Sequence, residues 1–95
     1  MFKKNYNIRL ELNGQLIHEI SSAEISNDIV IGRSSDCTWT VPAEDRSVSG
    51  QHARLFLKGK SIFIQDLKSR NGIYFMGEKI QERKIAKGDT YSIGD

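Results

Sequence analysis

The chain has 95 residues, of which 38% are hydrophobic and 27% are charged, and its formal net charge is +2. A chain of this length builds one hydrophobic core and no second, so a single domain over residues 1–95 is expected. Apolar runs such as Ile29–Ile31 are far too short for a membrane span or the core of a signal peptide. We therefore expect a cytoplasmic protein without a membrane partner, and the scattered charges do not indicate nucleic-acid binding.

Cys37 is the single cysteine, which excludes an internal disulfide. One thiol and two distant histidines, His18 and His52, do not form a zinc-binding pattern. The sequence thus implies neither a metal nor a cofactor. Cys37 is expected to be a small residue in the core or at its rim, in line with the usual burial of free cysteine.

Strand patterns then follow one another along the chain. Apolar residues alternate in 7–12, Asn13-Gly14 is typical of a tight hairpin turn, and 16–20 reads as the return strand. Further strands are expected at 28–31, 53–58, 61–64, 73–75, near 79–80 and at 90–93. The best helical window, 82–87, is too short to be stable alone. Many short strands separated by turns predict an all-β domain, either an antiparallel sandwich or a barrel.

Polar loops separate several of these strands. The segments 31–36, 45–52 and 68–72 each combine cationic side chains, hydroxyls and glycine. Arginine offers a planar fork of donors that matches phosphate oxygens, serine adds a hydroxyl donor, and glycine lets backbone N–H groups approach an anion. The composition of these loops therefore favours a divalent oxyanion such as a phosphate group.

The order of these motifs resembles the forkhead-associated (FHA) domain family. The matching residues are Gly32-Arg33, Ser49-Gly50-Gln51-His52, Asp66 to Gly72, Gly88-Asp89 and Ile93-Gly94, which lie within about residues 29–94. The resemblance implies an antiparallel β-sandwich of about eleven short strands. It also implies that loops at one end bind a phosphothreonine-containing protein or peptide, and that a Ser/Thr kinase acts upstream on that partner.

The resemblance also assigns roles to residues. Arg33 would grip the phosphate, Ser49 would donate to it, Arg70 would lie beside the phosphate and the threonine methyl, and Asn71 would bond the peptide backbone. The plainer alternatives are an ordinary surface arginine, a loop hydroxyl, and a turn-forming asparagine. Ser69 and Gly50 complete the predicted phosphopeptide-binding set, Ser69 as a hydroxyl that shapes its loop. Gly32, His52 and Gly72 are expected to be structural.

The chain departs from the family pattern at three positions. Gly50 stands where the family usually has arginine or asparagine, which predicts the loss of one peptide contact. Ile73 and Met76 replace a threonine and an asparagine, and both changes are interpreted as packing or turn substitutions. The family also adds a strand beside the N-terminal one after the Ile93-Gly94 motif, whereas this sequence ends at Asp95. We expect either an excised piece or a strand supplied by another chain; a monomer is expected, with a strand-swapped dimer as the alternative.

These inferences predict a non-catalytic adaptor. The alternative is a phospho-independent protein–protein interaction module of the same fold that binds through a sheet face. A hydrolase is not expected, because Ser49 and His52 lack an indicated orienting carboxylate and oxyanion donors. Five aromatic residues are expected to pack in the core or between the sheets, since single-stranded nucleic acid requires exposed aromatics in a basic groove; they are Trp39, Phe56, Phe63, Phe75 and Tyr91.

Overall fold

The computed structural model describes residues 5–12, 14–42 and 44–94. The strands in this part of the chain are β1 (Asn7–Leu12), β2 (Gln15–Ser21), β3 (Ile29–Gly32), β4 (Trp39–Thr40), β5 (Ala53–Lys58), β6 (Ser61–Asp66), β7 (Ile73–Phe75), β8 (Glu78–Ile80), β9 (Glu82–Lys84) and β10 (Tyr91–Ile93). A 3₁₀ turn at Ser22–Glu24 follows β2. The predicted all-β architecture is confirmed.

The larger layer is a five-stranded sheet in the order β4-β3-β5-β6-β9. Buried and more exposed residues alternate along β5 and β6, so one face of each strand lies toward the core. Leu55 lies opposite Ile64 on one side and opposite Ile29 on the other, which places three apolar side chains in one row of the core. Within the described ranges, this sheet therefore supplies slightly more than half of the buried side chains.

A three-stranded sheet in the order β10-β7-β8 belongs to the opposite layer. Ile73 of β7 is completely buried in the core, and the rings of Phe75 and Tyr91 pack with centroids 5.0 Å apart. Met76 and Gly77 connect β7 to β8 with φ angles of 52° and 83°. Two successive left-handed residues are typical of a two-residue hairpin turn, which agrees with the turn predicted there.

The β1–β2 hairpin also packs against the core, but no backbone ladder pairs it with a strand of either sheet. Its side chains Ile8, Leu10 and Leu12 share one face, as the alternation predicts, and all are only partly buried. The predicted turn includes Asn13, which lies outside the described residues, while Gly14 has a φ of 79°. The hairpin is thus a separate two-stranded ribbon on the sandwich.

Two strands were not predicted from the sequence. The window 82–87 is not helical, in agreement with the prediction, and Glu82–Lys84 forms β9, which pairs with the edge of β6 and so satisfies backbone groups of both strands. Trp39–Thr40 forms β4, which runs parallel to β3 and is too short to show any periodicity. No helix in the described ranges is long and apolar enough to span a membrane.

Candidate functional site

The first polar loop begins where β3 ends at Gly32. A Cβ atom at Gly32 would overlap the carbonyl group of Gly50, so glycine allows the loop after β3 to run beside the loop before β5. The backbone N–H of Arg33 donates to the carbonyl of Ser49 at 3.1 Å, and that of Ser34 donates to the carbonyl of Gly50 at 2.9 Å. Gly32 therefore fixes the start of the site through its lack of a side chain.

The side chain of Arg33 lies across the second loop. Its Nε–H donates to the carbonyl oxygen of Val48 at 2.5 Å, and the residue is partly buried. Val48 itself is buried in the core, with 4% of its surface exposed. Because the buried side chain of Val48 anchors this loop in the core, its carbonyl holds the Arg33 guanidinium at the Ser47–Ser49 segment.

His52 connects the loops from inside the protein. The residue has 0% exposure, and its Nδ1 accepts a hydrogen bond from the backbone N–H of Ser49 at 3.0 Å. The ring proton must then reside on Nε2, which donates to the carbonyl of Gly72 at 2.7 Å. The backbone of His52 adds bonds to Ile31 and Leu67. His52 therefore links the backbones of the neighbouring loops, as expected of a structural residue.

The third loop, between β6 and β7, is shaped by a buried carboxylate. Asp66 is 6% exposed, and its Oδ1 accepts from both the backbone N–H of Ser69 at 3.2 Å and its hydroxyl at 2.5 Å. The Ser69 oxygen in turn accepts from the backbone N–H of Gly72 at 2.9 Å. The Ser69 hydroxyl is therefore engaged within its own loop and serves to shape it.

Three loops meet at the Ser47–Ser49 segment. The hydroxyl oxygen of Ser49 accepts from the backbone N–H of Arg70 at 3.0 Å, which leaves its hydroxyl hydrogen able to donate. The Nδ2 group of Asn71 donates to the carbonyl of Ser47 at 2.9 Å. With the Arg33 contact to Val48, the structure brings together four of the predicted binding residues: Arg33, Ser49, Arg70 and Asn71.

The two remaining glycines of the predicted set occupy different positions. Gly50 is exposed, and no atom lies within 4 Å of the place a Cβ would take, so this position faces open space. Gly72 is buried, has a φ of 81°, and would place a Cβ 2.7 Å from Cε of Lys79. Gly50 thus contributes its carbonyl to the loop contacts, and Gly72 has the left-handed conformation expected of a structural glycine.

Sequence reasoning gave no site role to Lys79 or Cys37. The Lys79 side chain crosses over Gly72 and brings an exposed cation to the third loop. This placement follows from the register of the β7–β8 pair, in which Lys79 lies opposite Tyr74. The thiol of Cys37 donates to the Gly50 carbonyl at 3.1 Å, and burial raises its pKa, which keeps the sulfur protonated as a donor. No sequence motif signals either contact.

A groove of about 850 Å³ continues from the loop end along the outer side of the three-stranded sheet. Asn71 and Gly94 line it at the loop end, where the N–H of Gly94 donates to the Gly72 carbonyl at 3.3 Å. Tyr74 and Ser92, which pair across β7 and β10, line its middle. An extended chain bound at the loops therefore has a surface along which it can continue.

The fold defines the class of protein: an all-β sandwich that carries three interlocked polar loops at one end. The family model for the FHA domain matches residues 29–94, so the chain belongs to the FHA domain family.

Known relatives agree with this assignment. The FHA domain-containing protein FhaA of Mycobacterium tuberculosis is 32% identical over 65 residues, which cover 68% of this chain and only 12% of FhaA. The crystal structure of the FhaA FHA domain, complexed with the intracellular domain of Rv3910, aligns with a TM-score of 0.73 and 25% identity over 96% of this chain and 92% of that one. The Slr1951 protein from Synechocystis aligns with a TM-score of 0.74 and 27% identity over 96% of this chain and 86% of its own.

Proposed function

We propose that this domain is a non-catalytic adaptor that binds phosphothreonine segments of partner proteins in the cytoplasm after a Ser/Thr kinase has phosphorylated them. One observation carries the proposal. The Ser47–Ser49 segment of one loop is contacted by groups from two other loops. These groups are the side chains of Arg33 and Asn71 and the backbone N–H of Arg70.

The chemistry of these groups suits a phosphate dianion. A phosphothreonine carries about −1.5 to −2 charges at pH 7 and offers three acceptor oxygens. Arg33 supplies a fixed positive charge, Ser49 supplies a hydroxyl hydrogen, and the exposed Arg70 supplies a second cation. Because hydrogen bonds within the protein already fix these loops, ligand binding has to order few protein groups.

A protein segment suits the site better than a small metabolite. The related FhaA FHA domain was crystallised with the intracellular domain of another protein. In this chain the groove that begins at Asn71 extends for the length of β7 and β10, which offers room for residues on one side of the phosphothreonine. The proposed partner is therefore an extended phosphorylated segment, with its phosphate at Arg33 and its flanking residues along the groove.

The geometry of His52 supports a binding role rather than hydrolysis. A catalytic histidine must accept the proton of the attacking serine hydroxyl. Here Nδ1 accepts from the backbone N–H of Ser49, and Nε2 is bonded to the Gly72 carbonyl, so both ring nitrogens have backbone partners. The Ser49 hydroxyl is bonded to Arg70 instead.

The phosphothreonine proposal is tested with a peptide selected from an oriented phosphothreonine library. Isothermal titration should show that Arg33→Ala weakens binding by roughly ten- to a hundredfold, since a charge-assisted hydrogen bond contributes about 1.5–3 kcal/mol. The melting temperature should change little. Lys60→Ala, in the exposed β5–β6 turn, is the matched control and should bind like the native domain. Equal binding of the unphosphorylated peptide would refute the proposal.

The phospho-independent alternative is associated with a different surface. On the outer side of the five-stranded sheet, the rings of Phe56 and Phe63 stack with centroids 5.6 Å apart, and the Arg54 guanidinium lies 4.2 Å from the Phe56 centroid. A partner bound there would be insensitive to Arg33→Ala and to phosphatase treatment, but sensitive to Phe56→Ser. The same titrations therefore separate the two functions.

A further inference from the structure

The chain contains two Asn-Gly pairs, Asn13-Gly14 and Asn71-Gly72. Asn-Gly is the dipeptide most prone to spontaneous deamidation, in which the backbone nitrogen of the second residue attacks the side-chain amide carbon of the first. Glycine favours this attack because it has no side chain to hinder the approach. Asn71 belongs to the proposed binding site, so chemical conversion of its side chain would alter that site.

The attacking atom, the backbone nitrogen of Gly72, is held by a hydrogen bond in the folded protein. Its N–H donates to the hydroxyl oxygen of Ser69 at 2.9 Å, and Gly72 is buried. The Ser69 hydroxyl in turn donates to the buried carboxylate of Asp66 at 2.5 Å. Because a hydroxyl that donates to a carboxylate is a stronger acceptor, the Gly72 hydrogen is bound more firmly.

These contacts oppose the first step of the reaction, which is removal of the Gly72 backbone hydrogen. The resulting nitrogen anion would face the Ser69 oxygen, with the negative charge of Asp66 behind it, in a buried position. Burying such a charge without a donor is strongly unfavourable. The hydrogen bond therefore has to open before the nitrogen can react.

The side chain under attack is held as well. Nδ2 of Asn71 donates to the carbonyl of Ser47 at 2.9 Å, and Asn71 is partly buried. This bond ties the amide group to the loop before β5 rather than leaving it to turn toward the following peptide unit. Both reacting groups of Asn71-Gly72 thus have hydrogen-bond partners elsewhere in the protein.

We propose that Asn71 is a deamidation site that Ser69 protects: the asparagine is stable while the Ser69–Gly72 bond is closed and converts when this loop opens. On opening, solvent base removes the Gly72 hydrogen, the nitrogen attacks Cγ of Asn71, the Cγ–Nδ2 bond breaks, and Nδ2 leaves as ammonia after taking a proton from water. Water then opens the succinimide ring at either carbonyl and leaves aspartate or isoaspartate in place of the asparagine. The conversion requires no oxidant or reductant.

Either product would weaken phosphate binding, and this consequence rests on the proposed function. Aspartate would replace the Nδ2 donor with an oxygen that faces the Ser47 carbonyl, and its charge would oppose a phosphate group bound at Arg33. Isoaspartate would lengthen the backbone before Gly72 and displace the carbonyl that His52 contacts at 2.7 Å. Protection by Ser69 therefore determines how long a folded molecule keeps its binding site.

The conversion is measured on the free 95-residue protein by peptide mass spectrometry after incubation at mildly alkaline pH, so no phosphopeptide is needed. Asn71 should convert at least about tenfold more slowly in the native protein than in the chain unfolded in urea, because the rate follows the fraction of molecules with an open loop. Hydrogen exchange of the Gly72 amide reports the same opening and should be slowed by a similar factor. Equal conversion rates in the folded and unfolded chain would overturn the proposal.

Two variants test the hydroxyl. Ser69→Ala should raise the conversion rate of Asn71 about five- to tenfold, since it removes the acceptor of the buried Gly72 N–H. Ser69→Thr keeps a hydroxyl and should convert at close to the native rate. Asn13-Gly14 is the internal reference because its glycine is exposed, and its rate should be the same in all three proteins.

No acceleration of Asn71 in a folded Ser69→Ala protein, or equal acceleration of both Asn-Gly pairs, would contradict a protecting role for Ser69. Circular dichroism establishes that the variant is folded. If it is not, the native protein decides the question: conversion of Asn71 and exchange of the Gly72 amide that are slowed by different factors would refute the proposal.

The consequence for binding is measured separately. Asn71→Asp should weaken binding of the selected phosphothreonine peptide at least about tenfold, and the number of binding sites in aged native protein should fall in proportion to the fraction converted. If the native domain binds no phosphothreonine peptide, the proposed function fails, while the conversion rates still decide the protection. Equal binding by the native domain and Asn71→Asp would refute the link between deamidation and binding.

Discussion

The loop end and the β1–β2 hairpin of this domain are held in different ways, and its two histidines show the contrast. His52 is fully buried, and both of its ring nitrogens bond to backbone groups of neighbouring loops. His18 on β2 is partly buried, stacks on Trp39 with ring centroids 5.4 Å apart, and makes one bond to the Thr40 carbonyl at 3.1 Å. The loop end is cross-linked from within, whereas the hairpin rests on one face of the core.

This difference shows which part of the domain is held rigidly. Buried hydrogen bonds to backbone groups hold the three loops in place, whereas packing of apolar side chains holds the hairpin.

Replacing His52 should cause the greatest loss of stability, and replacing His18 a much smaller one. We expect His52→Ala to lower the free energy of unfolding by about 3–5 kcal/mol, because it leaves the Ser49 N–H unpaired, removes one of the two bonds to the Gly72 carbonyl and opens a cavity. His18→Ala should lower it by about 1 kcal/mol. Urea unfolding monitored by circular dichroism measures both values. Similar losses for the two variants would contradict the contrast between the regions.

Substitutions of Gly32 and Gly50 test the contacts between the loops, with smaller expected changes in stability. Gly32→Ala should lower the free energy of unfolding by about 1–3 kcal/mol, because the new methyl group overlaps the Gly50 carbonyl and pushes two loops apart. Gly50→Ala should change stability by less than about 0.5 kcal/mol, since its side faces open space. Thermal unfolding under identical conditions compares the two. A tolerated Gly32→Ala would show that the loops are less closely packed than described.

Lys79 tests whether the charge at the loop end extends beyond the predicted residues. Lys79→Ala should weaken phosphopeptide binding about two- to fivefold at low salt, and the difference should shrink as salt screens the exposed cation. Lys79→Arg should retain affinity. Fluorescence anisotropy across a salt series gives the result, and a salt-independent loss would indicate a packing effect over Gly72 instead.

The last prediction concerns Tyr91 of β10 and applies only at high pH. Burial, together with a hydrogen bond to Asp89, raises the pKa of Tyr91 to about 12, above its usual value of 10.0. The unfolded chain then loses this proton before the folded one does. The contribution of Tyr91 to stability is therefore complete below about pH 10 and is lost as the pH rises toward about 12.

Tyr91→Phe should flatten this pH dependence. Urea unfolding at about pH 9 and about pH 11 should show a smaller drop in stability for the variant than for the native protein. Some slope should remain, because burial and the charge of Asp89 also raise the pKa of Tyr6. An unchanged slope would show that Tyr91 ionises equally easily in both states.

Two kinds of feature can be predicted from the sequence alone: the strands with clear alternation, and the polar loops whose composition favours an oxyanion. Leu10, Leu55 and Ile64 face inward as their spacing predicts, since side chains in a strand alternate between its faces. The motifs around Arg33, Ser49 and Asn71 were sufficient to predict an FHA domain, which the family match confirms. Both the alternation and the motifs depend on residues close together in the chain, so the sequence alone shows them.

Features that depend on pairing between separate segments are visible only in the folded protein. Three features are of this kind. Strand β4 forms by pairing with β3, and the edge strand at Glu82–Lys84 forms by pairing with β6. The position of Lys79 over Gly72 follows from strand register. Which edges find partners depends on how all the strands pack together, because a backbone hydrogen bond between strands carries no sequence signature of its own.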